Sequence, residues 1–334
     1  MLIFMTPSGR QSIAATVGFI ACMTLVSPHA ARAQESAPPK AALYYLNISG
    51  SVLRADVDGS NRTIVGKVGF GPDGVAIDVS RGHIYWTSMG KPRDNDGTIT
   101  RADFDGGDVQ IVVPAGGTFT PKQLKLDLQH GKLYWSDREG MRVMRANLDG
   151  TDIETVVTAG EGEQDRGDQR NWCVGIALDV ANGKIYWTQK GGDNAGRGRI
   201  LRANIQMKPG EDSRHRSDIE VLFANLPEPI DLDLDVRDRF IYWTDRGDNT
   251  ISRAPMNSPK HADPEHRADR QILVRGLHEA IGIALDLKHN RMFYTSLGGE
   301  LGTAKLDGSD AKLLLTEQGP LTGIALFDAM SAHP

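Results

Sequence analysis

The 334-residue chain sets 38 Lys and Arg against 43 Asp and Glu, a net charge of -5 with a pI near 6.0. No basic surplus waits to displace phosphate counterions, so nucleic acid is excluded as the main partner. The 37 glycines suit a chain with many tight turns, and four of the five tryptophans fall in one recurring phrase.

The chain begins with Arg10, a mostly apolar run over 13–26, and then Ala31-Arg32-Ala33. Positive charge, apolar run and small-x-small site in that order predict a signal peptide over 1–33, cleaved after Ala33. The run is too short to span a bilayer. Phe19-Ile20-Ala21-Cys22 offers a competing lipidation site at Cys22. Residues 34–42, with Pro38-Pro39, read as a linker. Cleavage leaves Cys173 as the only cysteine, so no internal disulfide can form, and Cys173 reads as a small buried residue. The expectation is a periplasmic or secreted monomer with no transmembrane segment in the mature chain.

From there one phrase repeats: Ile84-Tyr85-Trp86-Thr87, Leu133-Tyr134-Trp135-Ser136, Ile185-Tyr186-Trp187-Thr188 and Ile241-Tyr242-Trp243-Thr244. Weaker copies are Leu43-Tyr44-Tyr45 and Met292-Phe293-Tyr294-Thr295. A self-similar period of roughly 40–55 residues marks a propeller or solenoid. Each copy after the first follows a Gly-Ile-Ala-Leu-Asp-like leader, at 74–79, 123–128, 175–180, 231–236 and 282–287, and a sixth leader at 323–327 stands alone. After the phrase comes a segment ending in Arg-Ala (Arg54, Arg101, Arg145, Arg202, Arg253), then a turn and a short apolar run. The turn is Asp-Gly at Asp58-Gly59, Asp105-Gly106, Asp149-Gly150 and Asp307-Gly308, a pair that tolerates the positive φ of a tight hairpin. Longer insertions over 206–218 and 256–269 replace it twice.

Four apolar runs between turns make a four-stranded antiparallel meander, so the expected fold is an all-β, six-bladed β-propeller over 43–328 with a tail over 329–334. The lone leader at 323–327 would pair with 43–65 and close the ring, removing exposed sheet edges. These six units resemble the YWTD repeat, the class B repeat of low-density-lipoprotein receptors. The resemblance implies six blades and an extracytoplasmic recognition or scaffold role. The final Asp of the phrase survives only at Asp137 and Asp245.

Candidate chemistry follows from where the repeat breaks its own rule. Leaders carry small pairs such as Gly175 and Ala177, but blade three has Gln123 and Lys125, and blade five has Asp231 and Asp233. Period-two alternation puts each pair on one side of its strand. Lys125 is therefore expected to meet Asp231 or Asp233 near the channel, across blade four. With Trp172 these four form the expected binding group at the channel mouth. Arg93, Arg138, Lys190 and Arg246 mark a charged, loop-rich rim beside it. Several oxygens around one point would suit Ca²⁺ or another divalent cation. The weak candidates are Asp73, Asn171, Asp231 and Glu279. Gly69 to Gly74 matches Gly-x-Gly-x-x-Gly but precedes a strand, whereas a dinucleotide site needs a helix there. The functional expectation is a propeller that binds an envelope or extracellular protein, or a small ligand, through rim and channel mouth. A metal-dependent lactonase- or lyase-like enzyme is the alternative.

Overall fold

A computed structural model describes residues 41–260 and 262–329. The signal peptide and its cleavage site, Cys22, most of the linker and residues 330–334 lie outside the described residues. Within them the chain forms six four-stranded antiparallel sheets. Blade two is typical: Pro72–Asp78 innermost, then His83–Ser88, Thr98–Asp103 and Gln110–Val113. The innermost strands of blades one to six are Leu321–Asp328, Pro72–Asp78, Pro121–Asp127, Cys173–Asp179, Pro229–Asp235 and Ala280–Asp286. Each touches the next, and blade six touches blade one, so they ring an axis. Closure is as expected. Leu321–Asp328 pairs with Ala41–Asn47, with Tyr44 opposite Ala325, and places the last residues of the ring beside the first.

The aromatic phrase builds the joints between blades. Neighbouring residues on a strand point to opposite faces, so each blade offers its first aromatic to the blade after it and its second to the blade before. Six apolar clusters result. They unite Tyr44 with Trp86, Tyr85 with Trp135, Tyr134 with Trp187, Tyr186 with Trp243, Tyr242 with Tyr294, and Phe293 with Tyr45. A buried aromatic hides 150–250 Å², so at about 25 cal/mol per Å² each ring contributes on the order of 4–6 kcal/mol before entropy is charged.

The hydroxyl that follows the aromatics is a staple. The Gly74 amide donates to Thr87 Oγ1 at 2.8 Å, and the Thr87 hydroxyl donates onward to the Lys122 carbonyl of the next blade at 2.8 Å. Thr188 links Gly175 to the Ile230 carbonyl, and Thr244 links Asp231 to the Ile281 carbonyl. Ser136 reaches the Gly175 carbonyl, and Thr295 the Thr322 carbonyl. Blade one carries Leu46 at this place, and Thr322 bonds the Pro72 carbonyl instead. The fourth letter of the phrase therefore joins sheets, while Asp137 and Asp245 bond within their own blades, to their lead-in loops and to Arg142 or the Gly247 and Asp248 amides.

One more rule runs round the outside. The third residue of each outer strand turns its carbonyl toward the following blade. Gly106 and Gly150, both at positive φ, pack so tightly on the Val65 and Val112 carbonyls that a Cβ would collide. Gly308 meets the Leu273 carbonyl in the same way, and Gly59 lies less tightly on the Leu314 carbonyl. Where the insertions replace Asp-Gly, an arginine takes over. Arg216 donates to the Val156 carbonyl at 3.0 Å and Arg267 to the Leu222 carbonyl at 3.1 Å. Each is fixed by a carboxylate two residues on, Asp218 and Asp269. The repeated Arg is structural too: Arg202 reaches the Met256 carbonyl and Arg253 the Leu306 carbonyl, each in the next blade.

Candidate functional site

The inner strands begin two residues earlier than the leaders read from sequence. In blades two to six the pairing skips between the first and fourth residues, for example between Pro72 and Val75. Such a bulge re-aims side chains next to it. The second residue of each strand then lines one mouth of the channel: Asp73, Lys122, Val174, Ile230, Ile281 and Thr322. The residue following each aromatic phrase completes the wall: Ile48, Met89, Arg138, Lys190, Arg246 and Leu297. These last six divide the mouth. Blades six, one and two contribute Leu297, Ile48 and Met89, and blades three, four and five contribute Arg138, Lys190 and Arg246. The enclosed volume is about 120 Å³.

The charged half is tightly wired. Glu228, 2% exposed, sits 2.9 Å from Lys190 and 2.8 Å from Arg246. Asp193 bridges the same two cations at 2.8 and 2.9 Å. Arg138 holds Glu139 through two bonds of 2.8 and 2.7 Å. Burial works against the Glu139 charge, but these bonds outweigh it and its pKa falls. Lys122 pairs with Asp73, and Gln123 Nε2 donates to the same carboxylate at 2.9 Å. Burial pulls the Lys122 pKa down, with Asp73 opposing. Trp172 packs between two of the cations, its ring 5.1 Å from the Arg138 guanidinium and 5.6 Å from the Lys190 ammonium. Cation–π contacts of this kind hold side chains at fixed angles.

The expected binding group is thus divided. Gln123 and Trp172 stand behind this mouth rather than in its wall, Gln123 bonding Asp73 and Trp172 packing on Arg138 and Lys190. Lys125 and Asp233 lie deeper, 3.7 Å apart across blade four, and Lys125 lines a second cavity of about 220 Å³ with Ile77, Leu126 and Leu326. Burial opposes the Lys125 charge, but Asp233 and Asp231 outweigh it and raise its pKa. Asp231 turns between strands, where it accepts from the Leu232 amide at 2.9 Å and the Ile283 amide at 3.2 Å. Burial pushes its carboxyl up to about 7. Of the rim residues, Arg138, Lys190 and Arg246 line the mouth, while Arg93 lies exposed on a loop outside it at φ 71.

The four metal candidates do not converge. Asp73 is tied to Lys122, Asn171 donates to the Asp165 carbonyl, Asp231 is held by amides, and Glu279 lies 3.9 Å from Arg246. Among the described residues no three His, Cys, Asp or Glu side chains group as a metal site. Cys173 is fully buried and its thiol is pushed up to about 12 by burial, so it is inert. No helix of the described residues is long and apolar enough to cross a membrane.

Lys122 and Glu228 escaped the sequence reading, because alternation counted from the small residues assigns them no place on the axis. The signal was there: Pro72, Pro121 and Pro229 each mark the first residue of an inner strand.

Fold and mouth together define a closed six-bladed propeller with a split-character pore. No family model matches the chain. It is 41% identical over 289 residues to low-density lipoprotein receptor-related protein 1 of Pyricularia oryzae, covering 83% of this chain and 92% of that one. It is 38% identical to the 3-hydroxyacyl-CoA dehydrogenase-like protein LAM1 of Cochliobolus heterostrophus, of whose length it spans 60%. Among solved structures it resembles nidogen in a nidogen/laminin complex (TM-score 0.66, 19% identity, 86% of this chain and 98% of that one). It also resembles a Xanthomonas campestris gluconolactonase (TM-score 0.56, 16% identity, 83% of each chain). The chain belongs to the low-density-lipoprotein-receptor-related YWTD propeller family.

Proposed function

We propose that this protein is an exported recognition module whose partner, an extracellular or envelope protein, docks on the rim and seats one group in the 120 Å³ mouth. The observation that carries this reading is the mouth itself. Six equivalent positions that the scaffold leaves free are filled by three cations on one side and three apolar side chains on the other. Exposed loop residues on a rigid ring are where recognition concentrates. The exposed Phe70, next to the Gly71 that pairs with Met89, extends the apolar side outward. The nidogen structure, solved with a protein partner, supports the choice of a protein over a small molecule.

The second reading is a metal-dependent lactonase- or lyase-like propeller, favoured by the gluconolactonase fold. It would need carboxylates free to bind metal, and those of the mouth, Asp73 and Glu228, are each paired with cations.

The test is capture of extracellular and envelope proteins on three immobilised forms: wild type, an Arg138→Glu/Arg246→Glu variant, and a Lys125→Ala/Asp233→Ala variant. A partner held by the first and third but lost by the second supports docking at the mouth. A partner that the mouth variant still holds overturns it.

A further inference from the structure

Asp127 and Asp179 end two successive inner strands, at the end remote from the mouth. Asp179 shows what such a carboxylate can hold across a joint between blades. Its Oδ2 accepts from the Arg239 guanidinium of blade five at 2.8 Å, besides its own Asn182 at 3.0 Å. Arg239 immediately precedes the second strand of its blade and sits at φ 63. Gly183 holds the same place in blade four, at φ 60. The two backbones agree: the Ile205 amide donates to the Gly183 carbonyl and the Met256 amide to the Arg239 carbonyl, both at 2.8 Å. Asp127 therefore faces a glycine where Asp179 faces a guanidinium.

That exchange leaves a cavity of about 520 Å³ between blades three and four, with Asp127 and Gly183 in its wall. Asp127 is 3% exposed. Its Oδ1 accepts from the His130 amide at 3.0 Å, and its Oδ2 bonds His130 Nδ1 at 2.7 Å. A carboxylate oxygen can accept two bonds, so Oδ2 keeps a lone pair for the kind of donor that Arg239 brings to Asp179. The cations of the wall are engaged elsewhere: Lys132 donates to Asn147 at 2.6 Å and Arg145 to Glu154 at 2.8 Å. Arg145 also stops short of closing the joint. Its counterpart Arg202 reaches the Met256 carbonyl at 3.2 Å, whereas Arg145 meets Gln206 Oε1 at 3.4 Å. Val180 and Ile205 add apolar wall. The volume falls within the roughly 300–1,000 Å³ common for small-molecule sites.

We propose that this cleft is a binding site for an alkylguanidinium, whose head bonds Asp127 as Arg239 bonds Asp179 and whose stem lies along Val180 and Ile205. A cation fits better than an anion because the group with spare capacity is a buried carboxylate. The joint between blades four and five accommodates a guanidinium although it carries Lys184 and Arg202, the counterparts of Lys132 and Arg145. The head can belong to a free small molecule or to an arginine side chain. The site lies away from the mouth and does not depend on the docking reading.

The test is calorimetric titration of the full chain with n-butylguanidinium, with n-butylurea as its uncharged twin, and with N-acetyl-arginine N-methylamide as an arginine residue. The guanidinium is expected to bind about tenfold more tightly than the urea, the worth of one charge-assisted hydrogen bond. The tighter of butylguanidinium and capped arginine marks the ligand as free or protein-borne. Gly183→Arg copies blade five into an αL position where a Cβ meets nothing within 4 Å. It should fill its own cleft and weaken binding about tenfold or more, with an unfolding temperature close to wild type. Gly183→Arg/Arg239→Gly should regain the affinity, because the vacancy moves to the next joint. Asp127→Asn should bind the guanidinium no better than the urea. Equal binding of guanidinium and urea, no binding of either guanidinium compound, a Gly183→Arg chain that unfolds or binds like wild type, or a double variant that regains nothing would each overturn the guanidinium site.

Discussion

Blades three to five and blades six, one and two are built from one repeat, yet they differ in kind. The first arc carries the cations of the mouth, and both long insertions grow from it. Those insertions reach back over the outer strands of blades three and four and seal them with buried Arg216 and Arg267. The second arc carries the apolar half of the mouth. Its outer strands leave Leu313, Ile64 and Ile111 exposed, the last two at 62% and 63%. The interface duties are constant around the ring: aromatic pair, hydroxyl staple, and a close contact on the third outer carbonyl. What varies are positions those duties do not use. A repeat scaffold thus separates stability from recognition by position, so the two can be perturbed separately.

The largest effect should come from the sealed arc. Arg216→Ala removes a side chain with 0% exposure and leaves Asp218 buried without its partner. Breaking such a pair costs about 3–5 kcal/mol, measurable as a lowered denaturant midpoint. In the open arc the same carbonyl contact is made by glycine. Gly106→Val puts a branched side chain at positive φ against the Val65 carbonyl, and about 2–4 kcal/mol should be lost. If Arg216→Ala costs less than Gly106→Val, the two devices are not equivalent and the comparison fails.

Asp231 sharpens it through pH. Four blades have glycine at this place; blade five has a carboxyl raised to about 7, chiefly by burial. A raised acid takes up a proton on folding between its unfolded value, about 4, and its folded value. Its contribution is present at the acid end and is lost as pH rises through that window. Asp231→Asn lacks this loss, so the variant should gain on wild type by on the order of 2 kcal/mol between pH 5 and pH 8. A constant difference between the two across that range would show that Asp231 does not titrate there. The smallest effect is expected at Phe70, which is 70% exposed. Phe70→Ser should change stability by less than about 0.5 kcal/mol, and a lowered partner affinity without a lowered unfolding temperature would mark it as part of the docking surface.

How far residues could be read in advance depended on whether they repeat. Tyr85 and Trp86 announced a blade because local alternation alone sends them to opposite faces. Lys125 and Asp233 could be brought together because each breaks a small-residue rule at the same repeat position. Lys122 could not, since a bulge displaces it from the count, and Glu228 could not, since it lies in a lead-in loop of no fixed pattern. Asp231 was legible as an exception but not in its partners, because the Ile283 amide it bonds is 52 residues away.

Periodicity along the chain by itself determined the number of blades, the order of their strands and the joining of the last segment to the first, because strand alternation and hairpin turns are local properties that each repeat states afresh. Only the closed ring decided what the mouth is. Its wall draws at least two side chains from each of six blades, and their neighbours and charges meet only once residues as far apart as Asp73 and Thr322 face the same axis.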